Sequence, residues 1–337
     1  AVIRGLFARH SQAHISPDGT RLITAFRDAQ VWDTTTGRRL LEPFRLSNDP
    51  LLWSLNFEAN GRFVLFNGAG LRGRSPDRNS GLNPVATLYV WDIESGRHFE
   101  LPLEGRLGSS GVSEDGSVVW ATASRMSGTR DGFRAALESG FVAPNIQLQR
   151  LTYFWDSESM ELLGEPIAET LANRRGFNGT GSRVSRDAAW MVTQDADAFH
   201  LVDTRTGEPI RDSIPHEEDG VRQAMLSHDN RRLMSVCKSD DRLTVREWDL
   251  EHDRGCLHHR EIKLSTPFPN PTVQVSPTNK QFVVHSGAVL RRGRATPSIS
   301  RDSEASTVVL VCEFAADQTI QLHHEFAVQH VAFSPDG

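Results

Sequence analysis

The stretch His14–Gly37, HISPDGTRLITAFRDAQVWDTTTG, holds two turn signals with a strand-like run after the first. In SPDG (Ser16–Gly19), Asp can bond its own backbone, and Gly tolerates the positive φ that closes a tight hairpin. Arg21–Ala25 then reads as a strand. The second signal, VWD at Val31–Asp33, is followed by TTTGRRLL, a polar turn leading into another strand.

Both signals recur. The first reads EANG at Glu58–Gly61, SEDG at Ser113–Gly116, SRDA at Ser185–Ala188, SHDN at Ser227–Asn230, SPTN at Ser276–Asn279 and SPDG again at Ser334–Gly337. Strand-like runs follow at Arg62–Phe66, Ser117–Ala121, Ala189–Val192, Arg232–Val236 and Gln281–Val284. The second reads VWD at Val90–Asp92, FWD at Phe154–Asp156, LVD at Leu201–Asp203 and EWD at Glu247–Asp249, with Val311–Cys312–Glu313 as a degenerate copy. Each unit therefore carries about four short strands and no helix of consequence. The turn-closing residues fall at 19, 61, 116, 188, 230, 279 and 337. The shortest of these intervals match the roughly 40–45 residues of one four-stranded propeller blade, and the longer ones read as the same unit with inserted loops.

The pattern resembles the WD-repeat (WD40) β-propeller family over essentially the whole chain, in the style of large bacterial WD-repeat proteins. It departs from the family in keeping Trp-Asp in only four units and in lacking the Gly-His that opens a repeat. The resemblance implies an all-β propeller of four-stranded antiparallel blades, six complete and a seventh incomplete. One domain would span 1–337, with blades near 11–46, 52–104, 110–168, 182–213, 220–262 and 271–323. Residues 1–9 and 324–337, including an inner strand at Val328–Phe333, would belong to the closing blade. An unfinished blade leaves sheet edges exposed, so the chain reads as a fragment truncated at both ends. Trp32, Trp91, Trp155 and Trp248 are expected to pack the blades, with Asp33, Asp92, Asp156, Asp203 and Asp249 in the turns beside them.

Hydrophobic residues make up 38% of the 337 and charged residues 24%, as expected of a soluble globular protein with a real core. No run approaches the roughly 18 apolar residues of a membrane span. A net charge of −6 argues against non-specific nucleic-acid binding. Cys237, Cys256 and Cys312 form neither a disulfide framework nor paired zinc spacing, which points to a reducing, cytoplasmic setting.

The long inserts run against the overall charge. Asn67–Pro84 carries Arg72, Arg74 and Arg78 against Asp77. Ser124–Gln149 carries Arg125, Arg130 and Arg134 against Asp131 and Glu138. Ser286–Ser306 carries Arg291, Arg292, Arg294 and Arg301 against Asp302 and Glu304. Arg174 and Arg175 follow blade 3. Such loops open on one face of a WD-type propeller, and loops on a rigid scaffold are where binding residues gather. They are candidates for holding an acidic or phosphorylated protein segment. Solvated surface loops and biased base composition explain the same arginines, since only Lys238, Lys263 and Lys280 are lysine. Within the second of these inserts, Asp131–Gly140 reads as a short helix.

Chemistry-bearing motifs are weak. Gly68, Gly70 and Gly73 spell GxGxxG after a strand, but RSPDRNSGLNP follows where a dinucleotide site needs a helix. His252, Cys256, His258 and His259 cluster, with Cys256 and His258 expected on one strand face, yet no second ligand pair accompanies them. No cofactor is implied. The reading is a non-catalytic scaffold for proteins or peptides, and the resemblance implies fusion to another domain, sometimes a kinase. The alternative is a lactonase- or hydrolase-like propeller enzyme with its site in the central channel, which the inner strands supply with almost no His, Asp or Glu.

Overall fold

A computed structural model describes residues 12–25, 28–45, 51–58, 61–69, 85–127, 147–171, 183–195, 198–215, 221–238, 242–252, 256–263, 271–276, 278, 280–286, 308–314, 319–324, 328, 331 and 333–334. Among these residues all regular structure is strand, and no helix is long and apolar enough to cross a membrane.

The strands form successive antiparallel meanders. The first sheet is β1 (Gln12–Ile15), β2 (Arg21–Ala25), β3 (Asp28–Asp33) and β4 (Phe44–Arg45); the second is β5 (Leu51–Phe57), β6 (Phe63–Ala69), β7 (Val85–Asp92) and β8 (His98–Glu104). The third is β9 (Arg106–Val112), β10 (Val118–Ser127), β11 (Gln147–Asp156) and β12 (Ile167–Leu171). The fourth has three strands, β13 (Trp190–Gln194), β14 (Ala198–Asp203) and β15 (Ile214–Pro215). The fifth is β16 (Val221–Leu226), β17 (Arg232–Lys238), β18 (Arg242–Asp249) and β19 (Cys256–Lys263). The sixth is β20 (Pro271–Val275), β21 (Gln281–Ser286), β22 (Val308–Glu313) and β23 (Thr319–His323). In every sheet the spatial order is the chain order. The fold is all-β, of the propeller class, with each meander a blade.

The reason each meander closes lies in its turns. Ser16, Ser113 and Ser227 donate through Oγ to Asp18, Asp115 and Asp229. The same hydroxyls accept the N–H of Arg21, Val118 and Arg232 at 2.9–3.0 Å. The fourth turn residue takes positive φ: Gly19 at 72° and Gly116 at 77°, but also Ala188 at 52° and Asn230 at 59°, where the sequence substitutes for glycine. The second turn then bonds back to the first. Thr34, Ile93, Ser157, Thr204, Leu250 and Phe314 donate their N–H to the carbonyls of Thr20, Arg62, Ser117, Ala189, Arg231 and Lys280. One end of every sheet is thus sealed by backbone hydrogen bonds.

The described chain falls into two compact units, 1–173 with 186–195 and 200–212, and 174–185 with 196–199 and 213–337. In the first unit, Val31, Leu55, Val64, Phe66 and Trp91 pack one apolar cluster between the first two sheets, and Leu65, Leu88, Val119, Ala121 and Trp155 pack another between the second and third. In the second unit, Met234, Val236, Val245, Phe282, Val284 and Cys312 join the fifth and sixth sheets.

Two boundaries differ from the sequence reading. Strand pairing carries β6 through Ala69 and β10 through Ser127, with β11 resuming at Gln147, so the inserts of sheets two and three are shorter than expected. In the expected strand Val328–Phe333, the described residues Val328, Val331 and Phe333 lie outside any strand; a strand needs a ladder partner, and no described strand pairs with them. Residues 1–9 and the helix expected at 131–140 lie outside the described residues.

Candidate binding face

In each four-stranded sheet, the connection from the second to the third strand leaves from the end opposite the sealed turns. Three such connections are long: β6 to β7, β10 to β11 and β21 to β22. Arg72, Arg74, Arg78, Arg130, Arg134, Arg174, Arg175, Arg291, Arg292 and Arg294 lie outside the described residues. Arg125 is described, and it is a strand residue of β10 rather than a loop arginine. Its Nη1 donates to Glu104 Oε2 at 2.7 Å and its Nε to Gln149 Oε1 at 2.9 Å. The reason is the longer β10–β11 ladder, which sets Arg125 directly opposite Gln149.

That root is tied to the sheets on both sides. Glu104 ends β8, and its N–H donates to the Tyr153 hydroxyl at 3.3 Å. Burial pushes that phenol's pKa up. Next to Gln149, Arg150 stands 3.8 Å from Glu169 Oε2, and Glu169 Oε1 accepts the N–H of Gln194 in β13 at 3.1 Å. Burial pulls Arg150 down from its usual range and the Glu169 charge opposes that pull. The corner between β8 and β9 passes so close that a Cβ on Gly105, whose φ is 112°, would sit 2.4 Å from the Ser124 carbonyl oxygen. Only glycine fits there.

At the sealed end, the repeat aspartates act as turn caps. Asp33 Oδ1 accepts from the N–H and hydroxyl of Thr36, and Asp156 Oδ1 from the N–H groups of Glu158 and Ser159. Asp203 Oδ1 accepts from Arg205 and Thr206, and Asp249 Oδ1 from Glu251 and His252. Asp92 does the same for Glu94 and Ser95 and also takes a two-pronged bond from Arg62. Burial alone would raise Asp92, but Arg62 and the turn donors outweigh it and hold the carboxyl low. Trp91, Trp155 and Trp248 are buried and Trp32 partly so. Trp248 Nε1 donates to Ser235 Oγ and Trp32 Nε1 to Thr24 Oγ1, both at 2.9 Å. Phe66 and Ala121 fill the corresponding places beside Trp91 and Trp155, where no hydroxyl is on offer.

The His/Cys cluster of the fifth sheet is divided. A bulge in β19 sets Cys256 opposite Trp248 and His258 opposite Glu247, neighbours that face opposite sides of β18. This corrects the expectation of a shared face, which assumed strict alternation. His258 Nδ1 lies 2.6 Å from Glu247 Oε2, Cys256 Sγ donates to the His258 carbonyl, and His252 contacts Asp249. Among the described residues no group of three His, Cys, Asp or Glu could hold a metal ion. Gly68 of the GxGxxG run is a strand residue of β6 paired with Thr87, and Gly70 and Gly73 lie outside the described residues.

Sequence reasoning passed over two buried polar residues, Glu247 and Gln223, and the half-buried Glu58. Glu247 sits where the other Trp-Asp units carry Val31, Val90 and Phe154, and its side chain is 1% exposed between Arg232 and His258. Glu58 replaces the serine of the first turn, and its carboxylate accepts the N–H of Val112. Gln223 donates to the Val273 carbonyl and accepts its N–H, standing in for a strand backbone. For the two glutamates the signal was available: a charged residue in a repeat slot that is otherwise apolar or serine.

The fold and this geometry define a propeller-class repeat module with one sealed end and one insert-bearing end on its sheets. No family model and no curated protein matches the chain. Among solved structures, Kluyveromyces lactis Hsv2 is similar over 90% of this chain and 74% of its own at 9% identity, with a TM-score of 0.49. Kuenenia stuttgartiensis hydrazine synthase is similar over 92% of this chain and 94% of its own at 12% identity, with a TM-score of 0.46. Likeness at this level brings no function to the chain.

Proposed function

We propose that the chain is a WD-repeat-type interaction scaffold, non-catalytic, whose insert-bearing ends take acidic or phosphorylated protein segments. The observation that supports this reading is the division of labour within each sheet. Backbone hydrogen bonds fix one end, while the long connections leave from the other and carry a net positive charge on a chain of net −6. A rigid frame with variable basic loops gives arginine forks a place to meet carboxylates and phosphates. At the root of the third sheet's insert Arg125 is engaged with Glu104, so this reading falls on the other arginines of the insert sequences.

Arrays of acidic, phosphorylated, neutral and basic peptides, probed with the purified chain at low and high salt, test this. The expected result is a preference for acidic and phosphorylated peptides that weakens with salt. It should be lost when Arg72, Arg74, Arg130, Arg134, Arg291 and Arg292 are changed to Gln. Equal binding of all four classes, or unchanged binding by the variant, overturns the proposal.

A further inference from the structure

We propose that Arg125, Gln149 and Tyr153 form a receptor for one phosphate group at the mouth between the second and third sheets, and that Glu104 occupies it as a tethered competitor. The β10–β11 ladder sets Arg125 opposite Gln149 and Ala121 opposite Tyr153, so the three side chains share one face of the third sheet. That face packs against the second sheet, where Tyr153 joins Leu101 and Leu103 of β8 in one apolar cluster.

The donors of this group are held in place but only partly used. Gln149 Oε1 accepts from Arg125 Nε at 2.9 Å, which fixes the guanidinium plane and leaves the two terminal nitrogens for another partner. Nη1 donates to Glu104 Oε2 at 2.7 Å, and Nη2 has no acceptor among the described residues. Tyr153 is 7% exposed, and its hydroxyl oxygen accepts the Glu104 N–H at 3.3 Å. The phenol's own proton has no acceptor among the described residues. Burial is the main reason its pKa is raised, but the Glu104 charge adds to the rise and the Arg125 charge opposes it. The hydroxyl therefore lies within electrostatic reach of both.

The Arg125–Glu104 pair is built to exchange. In the same unit, Asp92 takes a two-pronged bond from Arg62 with its own side chain 6% exposed, which makes a fixed pair. Glu104 makes a single bond to Arg125 with its side chain 69% exposed. Its backbone is pinned by Tyr153 and by the Gly105 corner, so rotation of one side chain opens the receptor and no strand has to move. A partner's carboxylate would replace Glu104 like for like. A phosphate brings additional charge and three acceptor oxygens, which suit Nη1, Nη2 and the Tyr153 proton together. An ion pair this exposed favours its closed form by at most about fivefold, so Glu104 lowers the apparent affinity for phosphate by roughly two- to sixfold. The receptor uses none of the insert arginines that the proposed function rests on, and the two readings fail separately.

Titration of the whole chain with inorganic phosphate at pH 7.5 and constant ionic strength tests this, followed by NMR at the backbone amides of Gly105, Arg125 and Gln149. Acetate serves as the carboxylate probe. The wild type should respond to phosphate more strongly than to acetate, and Glu104→Ala should lower the phosphate midpoint by roughly two- to sixfold. Arg125→Gln should abolish the response in either background, and Tyr153→Phe should weaken it about tenfold. Glu208→Ala removes one exposed negative charge in the turn after β14 and should leave the midpoint unchanged. Equal midpoints for wild type and Glu104→Ala, a gain that survives Arg125→Gln or is matched by Glu208→Ala, or acetate as strong as phosphate overturns the proposal.

Discussion

Replacing Glu247 tests whether the fifth sheet depends on the charge it buries. The side chain is 1% exposed and receives Arg232 Nη1 and His258 Nδ1, each at 2.6 Å. A charge-assisted hydrogen bond contributes about 1.5–3 kcal/mol. The two partners are 38% and 42% exposed, so water takes them back when Glu247 is removed, and each contribution is discounted to about 1–2 kcal/mol. Glu247→Ala is therefore expected to destabilise by about 2–4 kcal/mol through the two bonds, with the void opposite Met234 adding to that. Glu247→Val restores the residue found at Val31 and Val90, both fully buried. Burying its side chain returns about 1.5 kcal/mol, and the desolvation penalty of the carboxylate disappears. The valine variant should lose less than half of what the alanine variant loses. Urea unfolding followed by tryptophan fluorescence reads both, since Trp248 is the neighbouring residue. An alanine variant within 0.5 kcal/mol of wild type, or a valine variant equally damaged, refutes the reasoning.

Further outcomes follow from other sites. Because the native pKa of Glu58 lies near 7 against 4.5 unfolded, the folded state binds the extra proton in that window and stability declines as pH rises through it. Glu58→Gln should match wild type near pH 4 and exceed it by roughly 3 kcal/mol at pH 8, measured by urea midpoints at each pH. Gly105→Ala, with its Cβ 2.4 Å from a backbone oxygen, should cost several kcal/mol, whereas Gly96→Ala, at φ 74° with open space around it, should cost about 1 kcal/mol; thermal melts separate them. Trp248→Phe strands the buried Ser235 hydroxyl and should cost about 1–3 kcal/mol beyond the lost packing, while Trp32→Phe should cost less, since Thr24 is only partly buried.

The sheets were legible because turn chemistry is local. A Ser-x-Asp-Gly segment closes its hairpin through atoms within six residues, so SPDG and SEDG reveal their strands without any knowledge of the partner sheet. The weakened copies SRDA and SHDN still turn, with Ala188 and Asn230 at positive φ, Asp187 accepting the Ala189 N–H and Ser227 donating to Asp229. The root of the third insert was less legible. Arg125 looked like one more loop arginine, and only the register of β10 against β11 shows that it faces Gln149 and reaches Glu104. Likewise, Cys256 and His258 alternate in sequence but not in space, since a bulge of one residue is invisible in composition. Contacts between sheets, such as Glu58 with Val112, join residues 54 apart and have no periodic signature.

The hydrogen bond from Thr34 to Thr20, repeated through Phe314 to Lys280, has a consequence for how such a chain can diversify. Everything a meander needs to find its register is written at the stitched edge. Beyond fixed points such as the Gly105 corner and the Arg125–Glu104 root, the inserts of the far edge can then differ in length and charge, or be exchanged in the laboratory, while the same six stitches go on specifying the frame.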